Sequence, residues 1–227
     1  MSLIKTLVGS FVFAATAGLS LAAFHSPTAS AAESPLAGVV THVQGSASVD
    51  RSASSMALSV GQQVLIGDRV VTGRDARVGL KMTDGGVLRL GADTVFVIED
   101  YSYSEQAGKG RARIFLLKGA MRLITGAIAK LQERDFKLET VVAMTGVRGT
   151  DFWAGFYFSD ALDVALFDGA GVHVENAAGR VEIARAGDGT TVKGPDLPPS
   201  APIRWGREKY DAAVQSVAWD GGDGPGR

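Results

Sequence analysis

The sequence predicts an all-β fold: a solenoid-like, sandwich-like stack of twisted β-loops and antiparallel hairpins, with a short C-terminal helix. Three observations predict it. Apolar and polar residues alternate with period two from Gly38 to Val192, the pattern of strands with one buried face. Turn signals at Asp84-Gly85, Asp168-Gly169, Asn176 to Gly179 and Asp188-Gly189 follow one another at the spacing of about 8–12 residues seen in short-stranded β proteins. Glycine, at 29 of 227 residues, is too frequent for a helical bundle and has no collagen-like period.

Along the chain, Lys5 precedes an uncharged run from Thr6 to Phe24, and Ala29-Ser30-Ala31 follows Pro27. A charged start, an apolar stretch and a small-residue cleavage site predict a signal peptide over residues 1–31. The 19 uncharged residues are also just long enough for a membrane anchor, but Gly9, Ser10, Thr16, Gly18 and Ser20 interrupt them. No Cys stands at the junction for lipid attachment. Cleavage after Ala31 leaves 196 residues of net charge −2, because the leader carries Lys5 and no acid. The expected product is periplasmic or secreted, with no transmembrane anchor after cleavage.

The β domain is expected over residues 38–194. Val78, Leu80 and Met82 face one way while Arg77, Gly79 and Lys81 face the other. Leu88 and Leu90 flank Arg89, Phe136 and Leu138 flank Lys137, and Val172 and Val174 flank His173. Val95–Ile98 and Ile114–Leu117 are apolar throughout, so both faces are expected to be covered. Six serines between Ser46 and Ser59 predict a strand followed by a polar loop. Ile124, Ile128 and Leu131 have helical spacing and predict a short helix within Met121–Asp135. An apolar–x–x–Gly–x–apolar pattern recurs loosely at Val43–Ala47, Leu116–Met121 and Phe167–Val172, each with glycine at an expected corner. Residues 195–202 are a Pro-rich linker, 203–219 an amphipathic helix with Ile203, Tyr210, Val214 and Val217 on one stripe, and 220–227 a flexible tail.

Composition excludes several functions. Twenty-three Lys and Arg against 24 Asp and Glu leave no excess of positive charge for nucleic acid. Absence of Cys excludes disulfides, thiolate metal sites and a Cys nucleophile. His42 and His173 each sit in an alternating strand, and no nucleophile elbow, zinc helix or phosphate loop is present. Asp160 with Asp163, or Glu99 with Asp100, are the carboxylate pairs on offer, and charged turn residues are the plainer account. The chain is therefore expected not to be an enzyme, with no catalytic, cofactor-binding or metal-ligating residues. Arg77, Lys81, Arg89, Arg113, Lys118 and Arg122 occupy polar positions of successive strands. In register they make a basic face for an anionic polymer; the alternative is a solvated face balanced by Asp75, Asp84, Asp93 and Glu99.

The motif TGVRGTDFW at Thr145–Trp153 stands out. With Gly61–Asp68, Val71–Gly73, Asp84-Gly85 and Leu88–Leu90 in the same order, it resembles the FecR domain over residues 38 to about 194. The resemblance implies an all-β domain of twisted β-loops. It also implies relatives that regulate iron signalling through a cytoplasmic anti-sigma segment, a membrane helix and a receptor-contacting domain. No cytoplasmic segment is expected before the leader, and 33 residues after Gly194 are too few for the receptor-contacting domain. The expectation is an exported FecR-domain protein serving protein interaction or signalling in the cell envelope, the alternative a module binding an envelope glycan or other anionic polymer. Within the motif, Gly146, Arg148, Gly149 and Thr150 are the candidate residues. Arg148 is expected either to meet a partner or to close a β-corner on a carboxylate such as Asp68 or Asp151.

Overall fold

The computed structural model describes residues 35–219; the leader expected over 1–31 and the tail expected over 220–227 lie outside them. The chain alternates between two sheets. Strand β1 (Leu36–Gln44) opens the first, β2 (Ala47–Arg51) and β3 (Ser54–Ala57) form a hairpin in the second, and β4 (Gln63–Leu65) returns to the first. β5 (Arg69–Thr72) lies in the second sheet, the hairpin of β6 (Arg77–Met82) and β7 (Val87–Leu90) in the first, and that of β8 (Val95–Ser104) and β9 (Lys109–Lys118) in the second. β10 (Ala120–Ile124) is in the first, β11 (Glu133–Thr140) and β12 (Met144–Val147) in the second, and β13 (Thr150–Gly155) and β14 (Leu162–Gly169) in the first. β15 (Val172–Asn176) and β16 (Gly179–Ile183) end the second sheet; β17 (Asp188–Val192) and β18 (Ile203–Arg204) end the first. Helix α1 (Arg207–Ser216) follows.

The first sheet runs β18-β17-β14-β13-β10-β7-β6-β1-β4 and the second β16-β15-β12-β11-β9-β8-β5-β2-β3. Both progress from one end to the other without closing into a barrel. Ladders among the described residues are antiparallel except the parallel pair β9 and β11. The architecture is a two-layer sandwich, mostly β, with one C-terminal helix. Its core is one apolar cluster in which Leu80, Leu88, Met121 and Phe152 of the first sheet meet Phe96, Ile98, Ile114 and Leu138 of the second, as two half-buried sheets require. The alternation predicted for Arg77–Met82 is present: Val78, Leu80 and Met82 are buried, and Lys81 is exposed.

Three local expectations are corrected. β8 and β9 are not covered on both faces, since burial alternates along Val95–Ile98 and Leu117 is exposed. No helix spans Met121–Asp135: β10 occupies its start, β11 begins at Glu133, and only a 3-10 turn lies between, at Ala127–Lys130. The cause is Asp84, whose backbone carbonyl accepts from Ala127 N and whose carboxylate accepts from Ile128 N. The terminal helix is shorter than 203–219, because Ile203–Arg204 pairs with β17 before α1 begins.

Two buried carboxylates organise the layers. Asp84 Oδ1 accepts from Gly86 N at 2.9 Å and from the Tyr101 hydroxyl at 2.6 Å, tying the β6–β7 turn of the first sheet to β8 of the second. Burial, then this carboxylate, raises the Tyr101 pKa. Asp68 is fully buried and takes both Nε and Nη2 of Arg51, at 2.8 and 2.7 Å, and the Leu65 N–H at 2.8 Å.

The outer face of the first sheet carries α1. Cross-strand register aligns Trp153, Arg122, Arg89, Gly79 and His42 in one row. Trp153 Nε1 donates to Ser216 Oγ at 2.9 Å. Ala213 and Val217 close over Trp153 with Trp205, and Trp219 stacks on His42 at 4.4 Å. Ahead of the helix, Asn176 Nδ2 donates to the carbonyls of Gly194 and Leu197, and Ser200 Oγ accepts from Thr191 N. The segment 195–202 is thus pinned along the sandwich.

Asp84→Ala leaves three buried donors without their acceptor. It is expected to lower unfolding free energy by about 3–5 kcal/mol in urea titrations, against about 0.5 kcal/mol or less for exposed Glu99→Ala. Truncation before Ser200 uncovers Trp153, whose burial is worth roughly 4–6 kcal/mol. Calorimetry is expected to show the melting temperature falling by about 10 °C or more.

Candidate functional site

The motif TGVRGTDFW is a crossing between the layers. Thr145–Val147 lies in β12 of the second sheet, and Thr150–Trp153 in β13 of the first. Gly149 turns the chain between them at φ +73°, a left-handed conformation that side chains with a Cβ rarely adopt. Arg148 N donates to Gly171 O, and Gly149 O accepts from Ala170 N, so the corner is stitched to the β14–β15 crossing beside it. Thr150 is buried, and its carbonyl accepts from Thr125 N at 3.0 Å. Phe152 enters the core, and Trp153 turns outward beneath α1.

Gly146 serves a different purpose. It pairs with His173 on one side and Lys137 on the other. A Cβ there would stand 2.1 Å from His173 Cε1, so the imidazole lies directly across the strand. His173 Nδ1 is buried and has no hydrogen-bond partner. Desolvation lowers the His173 pKa, and the positive charges of Arg180 and Arg148 lower it further against the opposing pull of Glu175 and Glu182.

Around this ring the outer face of the second sheet holds a hollow of about 190 Å³, lined by Arg134, Lys137, Arg148, His173, Asp135, Phe136 and Met144 among others. Arg148 Nη1 lies 3.4 Å from Glu182 Oε1, with both side chains about half exposed. That replaces the expected partners: Asp68 binds Arg51, and Asp151 binds Arg122 through two contacts. Lys137 Nζ pairs with Asp135 at 3.1 Å, and Arg134 Nη1 donates to Leu131 O at 2.8 Å. The sequence singled out Gly146, Arg148 and His173 separately. Arg134 and Lys137 join them only because β11 pairs with β12.

The six cations of the expected basic face do not share one surface. Arg77, Lys81, Arg89 and Arg122 belong to the first sheet, Arg113 and Lys118 to the second, whose outer faces point apart. Arg89 lies under Trp219 and is 7% exposed. Arg122 is held by Asp151, and Arg113 by Glu139. Of the carboxylates considered for catalysis, Asp163 is buried and binds Lys209 at 2.7 Å and the Thr191 hydroxyl, while Asp100 binds Arg111. Among the described residues no group of three or more His, Asp or Glu side chains is arranged to hold a metal ion. No helix among them is long and apolar enough to cross a membrane.

Comparison with known proteins agrees with the motif order. Residues 68–170 match the FecR protein family model. The matched stretch runs from Asp68 through the Asp84 turn to the crossing at Gly169. Two crystal structures of a candidate anti-sigma factor from Parabacteroides distasonis ATCC 8503, at 1.65 and 2.50 Å resolution, share the fold with TM-scores of 0.50 and 0.51 at 16% identity. Each match covers 65% of this chain and 64% of the other, so this chain spans less than two-thirds of those proteins. No curated protein matches the sequence significantly.

A lowered pKa means that the fold favours neutral imidazole. His173 therefore contributes stability that is lost as pH falls through the ordinary histidine value of about 6.5. Histidine NMR titration is expected to move the His173 midpoint upward in Arg180→Ala, and by less in Arg148→Ala. His173→Gln is expected to flatten the decline in stability between pH 7 and 5.

Proposed function

We propose that the chain is an exported, non-catalytic FecR-type module that acts by protein contact in the sensory or signalling machinery of the cell envelope. The FecR match over residues 68–170 carries the reading. Support for a protein partner comes from the anti-sigma description of the structures that share the fold. Support for a non-catalytic role comes from how the motif residues are used. Asp68 and Asp84 are buried behind complete sets of donors. Asp163 and Asp100 are engaged in ion pairs. Support for export comes from the leader pattern at Lys5–Ala31.

The full gene expressed in a Gram-negative host is expected to give a periplasmic product whose first residue is Ala32. Recovery of the uncleaved chain from the cytoplasm overturns export. Photo-crosslinking residues placed at Arg148, Lys118 and Val141, all surface positions, are expected to give a discrete adduct with another envelope protein in the native host. Absence of adducts at all three overturns the protein-contact role.

A further inference from the structure

The corner role explains Gly149 and Thr150 but leaves the side chains around Gly146 unexplained. Arg134, Lys137, Arg148 and His173 converge on a hollow of about 190 Å³ in which Asp135 is the one lining carboxylate. That space equals roughly six water volumes, enough for a carboxylate head and the methylenes behind it. We infer that this hollow is an oxyanion pocket that takes an acidic side chain presented by a protein partner. The inference rests on the protein-contact reading above and names the chemistry of the contact.

Four features support it. The cations have replaceable partners: the Arg148–Glu182 contact is long and exposed, Lys137 uses a carboxylate two residues away on its own strand, and Arg134 gives one N–H to a carbonyl. Exposed pairs of this kind contribute little, so an incoming carboxylate competes against weak bonds while gaining a fork of guanidinium donors. The His173 ring lines the hollow and keeps a buried Nδ1 with no partner inside the fold. It sits there only because Gly146 has no side chain to displace it. Met144 supplies apolar wall for aliphatic carbons. Finally, positive charge is local. The surrounding face alternates sign, with Arg180 on Glu175, Arg113 on Glu139 and Arg111 on Asp100, which suits one inserted carboxylate rather than an extended polyanion.

A bound carboxylate also reverses the field at His173. Facing that ring are Arg148 from the β12–β13 crossing, Lys137, Asp135 and Arg134 from β11, Glu175 on its own strand, and Arg180 and Glu182 from β16. Unoccupied, burial first and then Arg180 and Arg148 disfavour imidazolium, against Glu175 and Glu182. Occupied, the added negative charge favours it, so binding takes up a proton and tightens as pH falls.

The test is histidine NMR on the full chain titrated with N-acetyl-hexaglutamate amide and, separately, with inorganic phosphate. With saturating peptide the His173 midpoint is expected to rise by about one pH unit or more, the signature of roughly tenfold tighter binding to the protonated ring. Resonances of His42, on the opposite sheet, are expected to stay unchanged. Lys137→Gln combined with Arg148→Gln is expected to abolish the shift while leaving the melting temperature within a few degrees. If that double variant does not fold, Lys137→Gln alone is expected to reduce the shift at least twofold. No shift with peptide, an undiminished shift in the variants, or a shift with phosphate alone overturns the proposal. Crosslinked adducts at Lys118 or Val141 that persist in the double variant overturn the pocket but leave the protein-contact role standing.

Discussion

The constraint on which this structure depends is the distance between its layers. Packed sheets lie about 10 Å apart, and the chain crosses that gap repeatedly with only one or two residues between strands. β1 passes to β2 through Gly45, β9 to β10 through Gly119, β12 to β13 through Gly149, and β14 to β15 through Gly169 and Gly171, all at positive φ. Ordinary residues resist that conformation. With a glycine at each corner, every strand enters its sheet with the apolar face already turned inward. Register then follows, because a slip of one residue would expose the whole core face.

These corners show how far sequence reasoning reached. The loose recurrence at Val43–Ala47, Leu116–Met121 and Phe167–Val172 looked like corners of stacked loops. Each proves to be a crossing between layers. Ten described glycines hold positive φ, which accounts for much of the unusual composition. Period-two alternation exposed the inner faces correctly because one buried face per strand leaves that mark directly. Less legible was whatever depends on contacts remote in sequence. Ile124, Ile128 and Leu131 carry helical spacing, yet Asp84, 44 residues before Ile128, holds that stretch in a single turn. Tertiary hydrogen bonds here outweigh local propensity.

The same division holds for the candidate site. Glycine around Arg148 was visible, and Gly149 does form a corner. Arg148's partner was not, since Glu182 reaches it through the β12–β15–β16 pairing. The basic ladder failed for a related reason. Polar positions on successive strands share a face only if the strands share a sheet, and this chain keeps changing sheets. Arg89 ends beneath Trp219 of the C-terminal segment and Arg122 beside the Phe167 ring of β14, which no count of charges along the sequence could place.

Strand order has a consequence for how such a chain can vary in length. Both sheets advance in step from the β3–β4 end to the β16–β18 end, and each hairpin touches mainly its immediate neighbours. A hairpin gained or lost at either end would leave the remaining ladders paired as before. An insertion midway would instead separate the crossings that Gly119 and Gly149 hold in phase. The ends are therefore the places where a chain of this architecture can grow or shrink, while its middle has a fixed pitch.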